Sequence, residues 1–477
     1  MKWTPVKGAG RAPVYKQIAA YIESQIADGA YPEGSVLPSE RELAKELGVN
    51  RSTVVAAYDE LKSYGLVSRV RGSGTIVGFR DTEEARPAPS WESFLRGGVL
   101  APNNRTFQTI LTEVRSSQEH INFAMGELHP ELSPKEWIGS LLASGTLGYD
   151  LGYEPTLGNE ELRESICAHL GRFRDIRSTP SSILVTSGAQ QALHLIVQCL
   201  LKPGDAVAIE DPSYAYSLPL FHSSGLRTIL LPSGPSGVDP EEVAQAYLRY
   251  GIKMVFLNPN YQNPTGSLMN VDNRRSLLDL SSRYGFAIVE DDPYSLIGFG
   301  DKPAVTLKSM DAAGSVLYIS SLSKIVASGL RIGWISGPRA IVERLADAKQ
   351  QLDFGQSTLP QQLAARILSS DALQDHLDRL RISLQFRRDV LADALRGQFK
   401  DRVELRLPEG GIHLWCGLEE EKNSQRLFVE SLRRGVIYTP GSLLGTSHRH
   451  VRLTFSRPDL HSIEEGVRRF YEAYMAT

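Results

Sequence analysis

The sequence predicts an α/β chain in two unequal parts: a small N-terminal head of three helices and a β-hairpin, and a large body on a mostly parallel sheet flanked by helices. Three observations predict it. At 477 residues the chain exceeds one compact folding unit. Between residues 13 and 78 apolar residues recur at helical spacing and then give way to two short β-like runs. From about residue 120 short β-branched runs alternate with longer helical patterns, the rhythm of a parallel sheet with crossover helices.

Composition narrows the class. The chain is 42% hydrophobic and 22% charged, ordinary for a globular protein, and no apolar run approaches the roughly 18 residues of a membrane span. The basic N-terminus MKWTPVKGAG lacks the apolar stretch of a secretory signal. Cys167, Cys199 and Cys416 lie far apart without metal-ligand spacing, and neither an HExxH motif nor a His/Cys cluster occurs, so no metal site is expected. His194 falls mid-helix, and His448 and His450 flank Arg449 in a polar loop. A reducing, cytoplasmic address follows. Residues 1–80 hold 11 lysines and arginines against 8 acidic residues, net +3, which leaves −6 for the remainder. A basic head on an acidic body fits a head that meets phosphate backbones.

In the head, Val14, Ile18, Tyr21, Ile22 and Ile26 describe one helix, stopped by Gly29 and Pro32. Ser39 and Glu42 form an S-x-x-E capping box that opens a second, with Leu43, Ala44 and Leu47 as its apolar stripe and Gly48 as its turn. A third begins near Asn50 with Val54, Tyr58 and Leu61 inward. In a helix–turn–helix the second member enters the major groove by its first turn, which makes Arg51, Ser52 and Thr53 candidates for DNA contact. Leu66–Val70 and Thr75–Val77, joined by Arg71-Gly72-Ser73-Gly74, read as a wing carrying Arg69 and Arg71. The segment L-P-S-E-R-E-L-A-x-x-L-G-V-x-R-x-T-V-x-x-A-Y resembles the winged helix-turn-helix of the GntR family of bacterial regulators. The resemblance implies DNA contacts from Arg41, Asn50, Arg51, Ser52, Thr53, Arg71 and Gly72.

Residues 79–119 read as linker and docking segment: 81–90 is polar and proline-punctuated, and Trp91, Phe94 and Leu95 suggest docking. The domain boundaries are accordingly 1–78, 79–119 and 120–477.

In the body the strand candidates are Ile183–Thr186, Ala206–Ile209, Met254–Leu257, Ala287–Val289 and Val316–Ile319, and unusual residues gather just past their carboxyl ends, where such sheets bind ligands. Ser187-Gly188-Ala189-Gln190 opens a helix whose N-terminus suits a phosphate. Glu210-Asp211-Pro212-Ser213-Tyr214 sets an aromatic at a strand end, and Asn258-Pro259-Asn260-Tyr261-Gln262-Asn263-Pro264 fixes an amide. Glu290-Asp291-Asp292-Pro293-Tyr294 follows an apolar strand, where a carboxylate needs a cationic partner such as a pyridinium nitrogen. Ser321-Leu322-Ser323-Lys324 holds a lysine among hydroxyls, with Arg331 further on. Taken singly, each has an ordinary loop or surface explanation. Together they match the needs of one cofactor.

The order S-G-x-Q-Q-x-L, D-P-x-Y, N-P-T-G, D-D-P-Y, S-x-S-K and L-R-I-G-W resembles the fold-type I aminotransferases over residues 120–477. The resemblance implies a pyridoxal 5′-phosphate site and a smaller C-terminal α+β subdomain from about residue 350. It implies that Lys324 forms the internal aldimine, Asp291 pairs with the ring nitrogen, Asn263 and Tyr294 hold the 3′-oxygen and Tyr214 stacks on the ring. It assigns the phosphate to Ala189, Gln190, Ser321, Ser323 and Arg331, with Tyr153 reaching it from a partner subunit. Arg452, on the polar face of the alternating strand 451–456, is implied to fork an amino-acid carboxylate. The two halves together resemble the MocR subfamily of GntR-type regulators, which implies a homodimer, often head-to-tail, that binds operator DNA and senses an amino acid or amine. An active aminotransferase and a regulator sensing the cofactor itself are the alternatives.

Overall fold

The computed structural model describes residues 3–6, 12–70, 72–78, 100, 103–116, 119–143, 152–300 and 303–477. The chain divides into two compact units, Met1–Gly98 and Val99–Thr477.

The first unit holds helices α1 (Val14–Ala27), α2 (Glu40–Leu47) and α3 (Arg51–Ser63) and the antiparallel pair β1 (Val67–Val70) and β2 (Gly74–Val77). The capping box forms: the Ser39 hydroxyl accepts from the Glu42 N–H at 3.3 Å, and the Glu42 carboxylate accepts from the Ser39 N–H at 3.0 Å. Gly48 closes α2 in the left-handed region at φ 65°, where a side chain would be strained. Ile18, Ile22, Leu43, Leu47, Val54, Tyr58, Leu61, Val67 and Val77 make the core. Each fully buried aliphatic among them contributes roughly 1.5–3 kcal/mol of transfer free energy. Strand β1 begins one residue later than the sequence suggests, a shift within the ordinary fraying of element ends.

The second unit is built on an eight-stranded sheet. Its strands are β4 (Ile183–Thr186), β5 (Ala206–Asp211), β6 (Arg227–Gly234), β7 (Gly237–Val238), β8 (Met254–Leu257), β9 (Ala287–Asp291), β10 (Val316–Ser321) and β11 (Gly333–Ser336). The order is β4-β11-β10-β9-β8-β5-β6-β7. Neighbours from β10 through β6 pair in parallel, and β11 runs antiparallel between β10 and β4. Alternation sorts the side chains: Leu317, Ile319 and Val289 pack beneath helices Ala189–Leu200 and Arg339–Leu352. Val316, Ile288 and Val255 pack under helices Pro240–Tyr250 and Val271–Tyr284. Both faces are covered, which is why these strands read as continuous apolar runs.

A four-stranded antiparallel sheet follows, with β12 (Val403–Leu405), β13 (His413–Leu418), β15 (Thr439–Pro440) and β16 (His450–Thr454) in the order β12-β13-β16-β15. It packs with the long helix Ala372–Phe399 and the terminal helix Ile463–Met475. A short parallel pair, β3 (Ile121–Asn122) with β14 (Val436–Ile437), joins the start of this unit to it. The stretch that the sequence suggested as linker contains the helix Arg105–Ser116, with Ile110 buried in the body core. Its signal was present in Phe107, Ile110, Leu111 and Val114 at helical spacing. Trp91, Phe94 and Leu95 lie outside the described residues. Among the described residues no helix is long and apolar enough to cross a membrane.

Candidate functional site

The carboxyl ends of β5, β8, β9 and β10 open into a cavity of about 620 Å³. Ala189, Gln190, Tyr214, Asn263, Asp291, Tyr294, Ser321, Ser323, Lys324, Arg331 and Arg452 all line it, contributed by segments up to 263 residues apart in sequence.

The turn after β10 presents Lys324, whose ammonium donates to the Gly126 carbonyl. Burial lowers its pKa to about 8; the nearby Arg452 and Arg331 cations act in the same direction, against Glu127 and Asp291. A lysine so placed carries an appreciable share of free amine near neutral pH, the form that attacks a carbonyl.

Strand alternation separates two adjacent carboxylates. Asp292 turns into the protein and is fully engaged, accepting from Tyr318 at 2.8 Å, the Ser295 N–H at 3.1 Å, Asn260 at 3.3 Å and the Ser295 hydroxyl. Asp291 turns to the cavity, and its Oδ1 is buried without a partner. Burial, with Asp292 behind it, raises the Asp291 pKa to about 7, and Lys324 pulls the other way. A buried orphan acceptor marks a place for a cationic or N–H donor from a ligand.

Neighbouring strand ends are tied together. Asn258 accepts from the Asn263 N–H at 2.7 Å and donates to the Asp291 carbonyl at 2.7 Å. The Tyr214 N–H donates to the Asn263 carbonyl at 2.9 Å, and Gln190 donates to the Tyr214 hydroxyl at 2.6 Å. These bonds hold the amide of Asn263 and the ring of Tyr214 at the cavity wall.

At the N-terminus of helix Ala189–Leu200 the cap is Gly188, φ 83°, which has no side chain to satisfy the first-turn N–H groups. Arg331, itself left-handed at φ 55°, reaches back to donate to the Ser187 carbonyl at 2.8 Å. A Cβ at residue 188 would lie 2.9 Å from Arg331 Nη2, so only glycine lets the guanidinium close over the turn. Helix N–H groups, an arginine and the hydroxyls of Ser321 and Ser323 line this side of the cavity, a set of donors that could hold a phosphate.

Arg452 does lie opposite the apolar side chains of β16, but at 7% exposure it faces the cavity rather than solvent. It donates to Asn263 Oδ1 at 2.9 Å, to Thr439 Oγ1 at 3.0 Å and to the Ala124 carbonyl. Its Nε is buried with no acceptor, a second unpaired polar atom on a residue that lines the cavity.

Tyr153 stands apart from the others. It is 87% exposed, beside the exposed Phe354 at 6.0 Å between ring centroids, and does not line the cavity.

Several lining residues escaped the sequence reading. His413 and Glu127 are polar members of the wall, and Phe107, Ile110 and Leu111 supply an apolar side from helix Arg105–Ser116. His413 carried a usable signal, two residues from Trp415 on an alternating strand.

On the head, Arg41, Asn50, Arg51, Ser52 and Gly72 are exposed and Thr53 is half-buried, while Arg71 lies outside the described residues. Glu40 gathers two arginines: Arg51 donates to it at 2.8 and 3.1 Å, and Arg69 of the wing pairs with its other oxygen. Those bonds lower the Glu40 pKa, the Arg51 hydrogen bond most. One carboxylate thereby joins the first turn of α3 to the wing strand.

His129, Glu131 and Asp459 bring ligand atoms within 4.8 Å of one another. Glu131 and Asp459 are exposed and Glu131 also faces Arg387 at 3.7 Å, so the trio reads as a surface ion-pair group.

Comparison with known proteins agrees with this geometry. The family described as aminotransferase class I and II matches residues 118–470, and bacterial regulatory proteins, gntR family, matches residues 14–77. The chain is 37% identical to YisV of Bacillus subtilis, an uncharacterised HTH-type transcriptional regulator, over 98% of this chain and 97% of that protein. It is 28% identical to the HTH-type transcriptional regulator NorG of Staphylococcus aureus, over 91% and 98%. Among solved structures, kynurenine aminotransferase of Pyrococcus horikoshii in complex with PMP matches with TM-score 0.76 and 32% identity, covering 81% of this chain and 98% of that one. LysN, an α-aminoadipate aminotransferase of Thermus thermophilus complexed with N-(5′-phosphopyridoxyl)-L-leucine, matches with TM-score 0.74 and 28% identity over the same shares.

Proposed function

The chain belongs to the aminotransferase class I and II family and carries a gntR-family DNA-binding head, and from that premise we propose that it is a pyridoxal 5′-phosphate-dependent transcriptional regulator of the MocR type. One observation carries the reading: in a chain with a DNA-binding head, the cavity joins a lysine of lowered pKa, an orphan buried carboxylate oxygen and a glycine-capped helix N-terminus. These are the donors and acceptors that pyridoxal phosphate lacks and needs.

When bound, the cofactor supplies an aldehyde to which amines add and a ring that withdraws electrons. Lys324 would hold it covalently, and Asp291 would face the ring nitrogen. Asn263 and Tyr294 would address the 3′-oxygen, and Tyr214 would lie against the ring. Ala189, Gln190, Ser321, Ser323 and Arg331 would hold the phosphate. Arg452, its Nε free for an acceptor, would take the carboxylate of an amino-acid effector, with Thr439 and Asn263 fixing the guanidinium plane. Tyr153 would serve the phosphate of a partner subunit in a homodimer, which accounts for an exposed aromatic beside another.

In the head, Arg41, Asn50, Arg51, Ser52, Thr53 and Gly72, with Arg71, would meet operator DNA in the cytoplasm. An effector changes operator binding only if it binds two conformations of the body with different affinity.

An active aminotransferase is the second reading, supported by Lys324, Asp291, Asn263, Tyr294 and Arg452 lining one cavity. The test is the visible spectrum of the full chain as amino acids and amines are added singly, with keto acid and operator affinity measured together. A spectral change that persists without keto acid and alters operator affinity supports the regulator. Stoichiometric keto acid with no effect on DNA refutes it in favour of the enzyme, and a DNA effect of the cofactor alone marks a sensor of the cofactor.

A further inference from the structure

The inference rests on the cofactor reading above and concerns a residue outside it. His413 is 2% exposed and lies on β13 directly opposite Thr454 of β16, so both side chains share the face that carries Arg452. Its Nδ1 is 2.9 Å from Thr454 Oγ1, and its Nε2 is 3.1 Å from the Tyr294 hydroxyl. The two rings meet edge-on, 5.8 Å apart at 86°.

A neutral imidazole has one donor and one acceptor nitrogen. Burial, with the Arg452 and Lys324 cations nearby, keeps this one neutral. Two proton arrangements then remain: Thr454 donates to Nδ1 and Nε2–H donates to Tyr294, or the whole chain runs in reverse. Asn263 decides between them. Its Oδ1 accepts from Arg452, so the only group its side chain can offer the neighbouring Tyr294 oxygen is an amide N–H. With the His413 Nε2–H donating to that oxygen and Asn263 presenting an N–H rather than an acceptor to it, the tyrosine proton turns to the cavity that Tyr294 lines. The reverse arrangement spends the tyrosine proton on His413 and turns a lone pair toward a cofactor oxygen, acceptor against acceptor.

We infer that His413 is a positioning residue: Thr454 donates to its Nδ1, its Nε2–H donates to Tyr294, and the tyrosine proton is thereby aimed at the 3′-oxygen of the cofactor. A hydrogen bond delivered to an oxygen favours its ionised form, so the relay lowers the pH at which the bound cofactor titrates. The other charged or titratable groups around this point are Asp291 of β9, Lys324 after β10, Arg452 of β16, Tyr214 and Glu127. They are unchanged when His413 is replaced.

The test is the pH midpoint of the visible absorption of the cofactor-loaded full chain, for the native protein, His413→Phe, His413→Gln and Thr454→Val. His413→Phe raises the midpoint by about one unit, the size of one hydrogen bond to an ionised oxygen. His413→Gln, whose amide can donate to Tyr294, returns most of the shift, and Thr454→Val moves part way in the same direction. An unchanged or lowered midpoint in His413→Phe at native cofactor occupancy overturns the relay, as does identical behaviour of the Phe and Gln variants. If His413→Phe does not load the cofactor, Thr454→Val decides by the same criterion. Absence of any cofactor band in the native protein overturns the cofactor reading itself, a separate outcome.

Discussion

Replacing Asp291 with asparagine keeps the shape of the side chain and removes its charge. In the cofactor-free protein the Asp291 carboxylate is held against burial and the adjacent Asp292, and its pKa stands at about 7. An unfolded aspartate titrates near about 4, so the folded chain binds this proton more tightly by about three units. The sign follows: below about pH 4 the group is neutral in both states and costs nothing, and the penalty grows as pH rises to about 7 and is complete above it. Three units correspond to about 4 kcal/mol, and solvation from the open cavity reduces this to about 2–3 kcal/mol. Glu210, whose pKa burial also raises to about 7, feels Asp291 as a like charge, so its relief adds in the same direction. Cofactor-free Asp291→Asn should therefore unfold a few degrees above the native protein at about pH 8 and keep only about a fifth of that advantage at about pH 4.5. Added pyridoxal phosphate should reverse the order, because aspartate then gains a cationic partner and asparagine does not. Scanning calorimetry of both proteins with and without cofactor measures all four states. Equal melting temperatures at the higher pH without cofactor would refute the argument that Asp291 is an unpaired buried charge awaiting a ligand.

Lys324→Ala should abolish the visible band of lysine-bound cofactor with far-ultraviolet circular dichroism unchanged; a retained lysine-linked chromophore would move the assignment elsewhere. Arg452→Lys should weaken the spectral response to amino acids at least about tenfold, through loss of the planar fork, and spare simple amines; equal losses for both would remove the carboxylate role. Arg51→Ala should cost about 1–3 kcal/mol of operator affinity at fixed salt, checked by fluorescence anisotropy. Ser39→Ala, which breaks the capping box, should cost the head about 1 kcal/mol in denaturant unfolding, with the body transition unmoved.

Most of the fold could be read along the chain because its signals are local. The capping box at Ser39 and Glu42, the glycine turn at Gly48 and the inward stripe of α3 are each decided within a few residues. The parallel strands announced themselves as apolar β-branched runs, since both sheet faces are covered. Helix Arg105–Ser116 was passed over because its polar residues and its neighbours resemble a linker, and its apolar stripe acquires meaning only against the body core. Strand β11 is short, has glycine at its start and runs antiparallel between β10 just before it and β4 far upstream, a place in the sheet that its few residues do not announce.

The sequence by itself determined which residue types reach the strand ends, because period-two alternation and the turn residues set them there. The resemblance to the fold-type I aminotransferases then singled out the lysine, the carboxylate, the amide and the two tyrosines among them. Only the tertiary structure decided what each was facing. Asp291 and Asp292 are adjacent and chemically identical, yet one is saturated by Tyr318, Ser295 and Asn260 and the other is left with an orphan oxygen. Arg452 was placed on the polar face of its strand and implied as a carboxylate ligand, and the pairing of β16 with β13 and β15 is what buries it. The partners of His413 were settled only when the register of β13 with β16 set it between Thr454 and Tyr294. Burial and hydrogen-bond partnership are properties of pairs distant in sequence, and these decide the charge of a side chain and where its proton points.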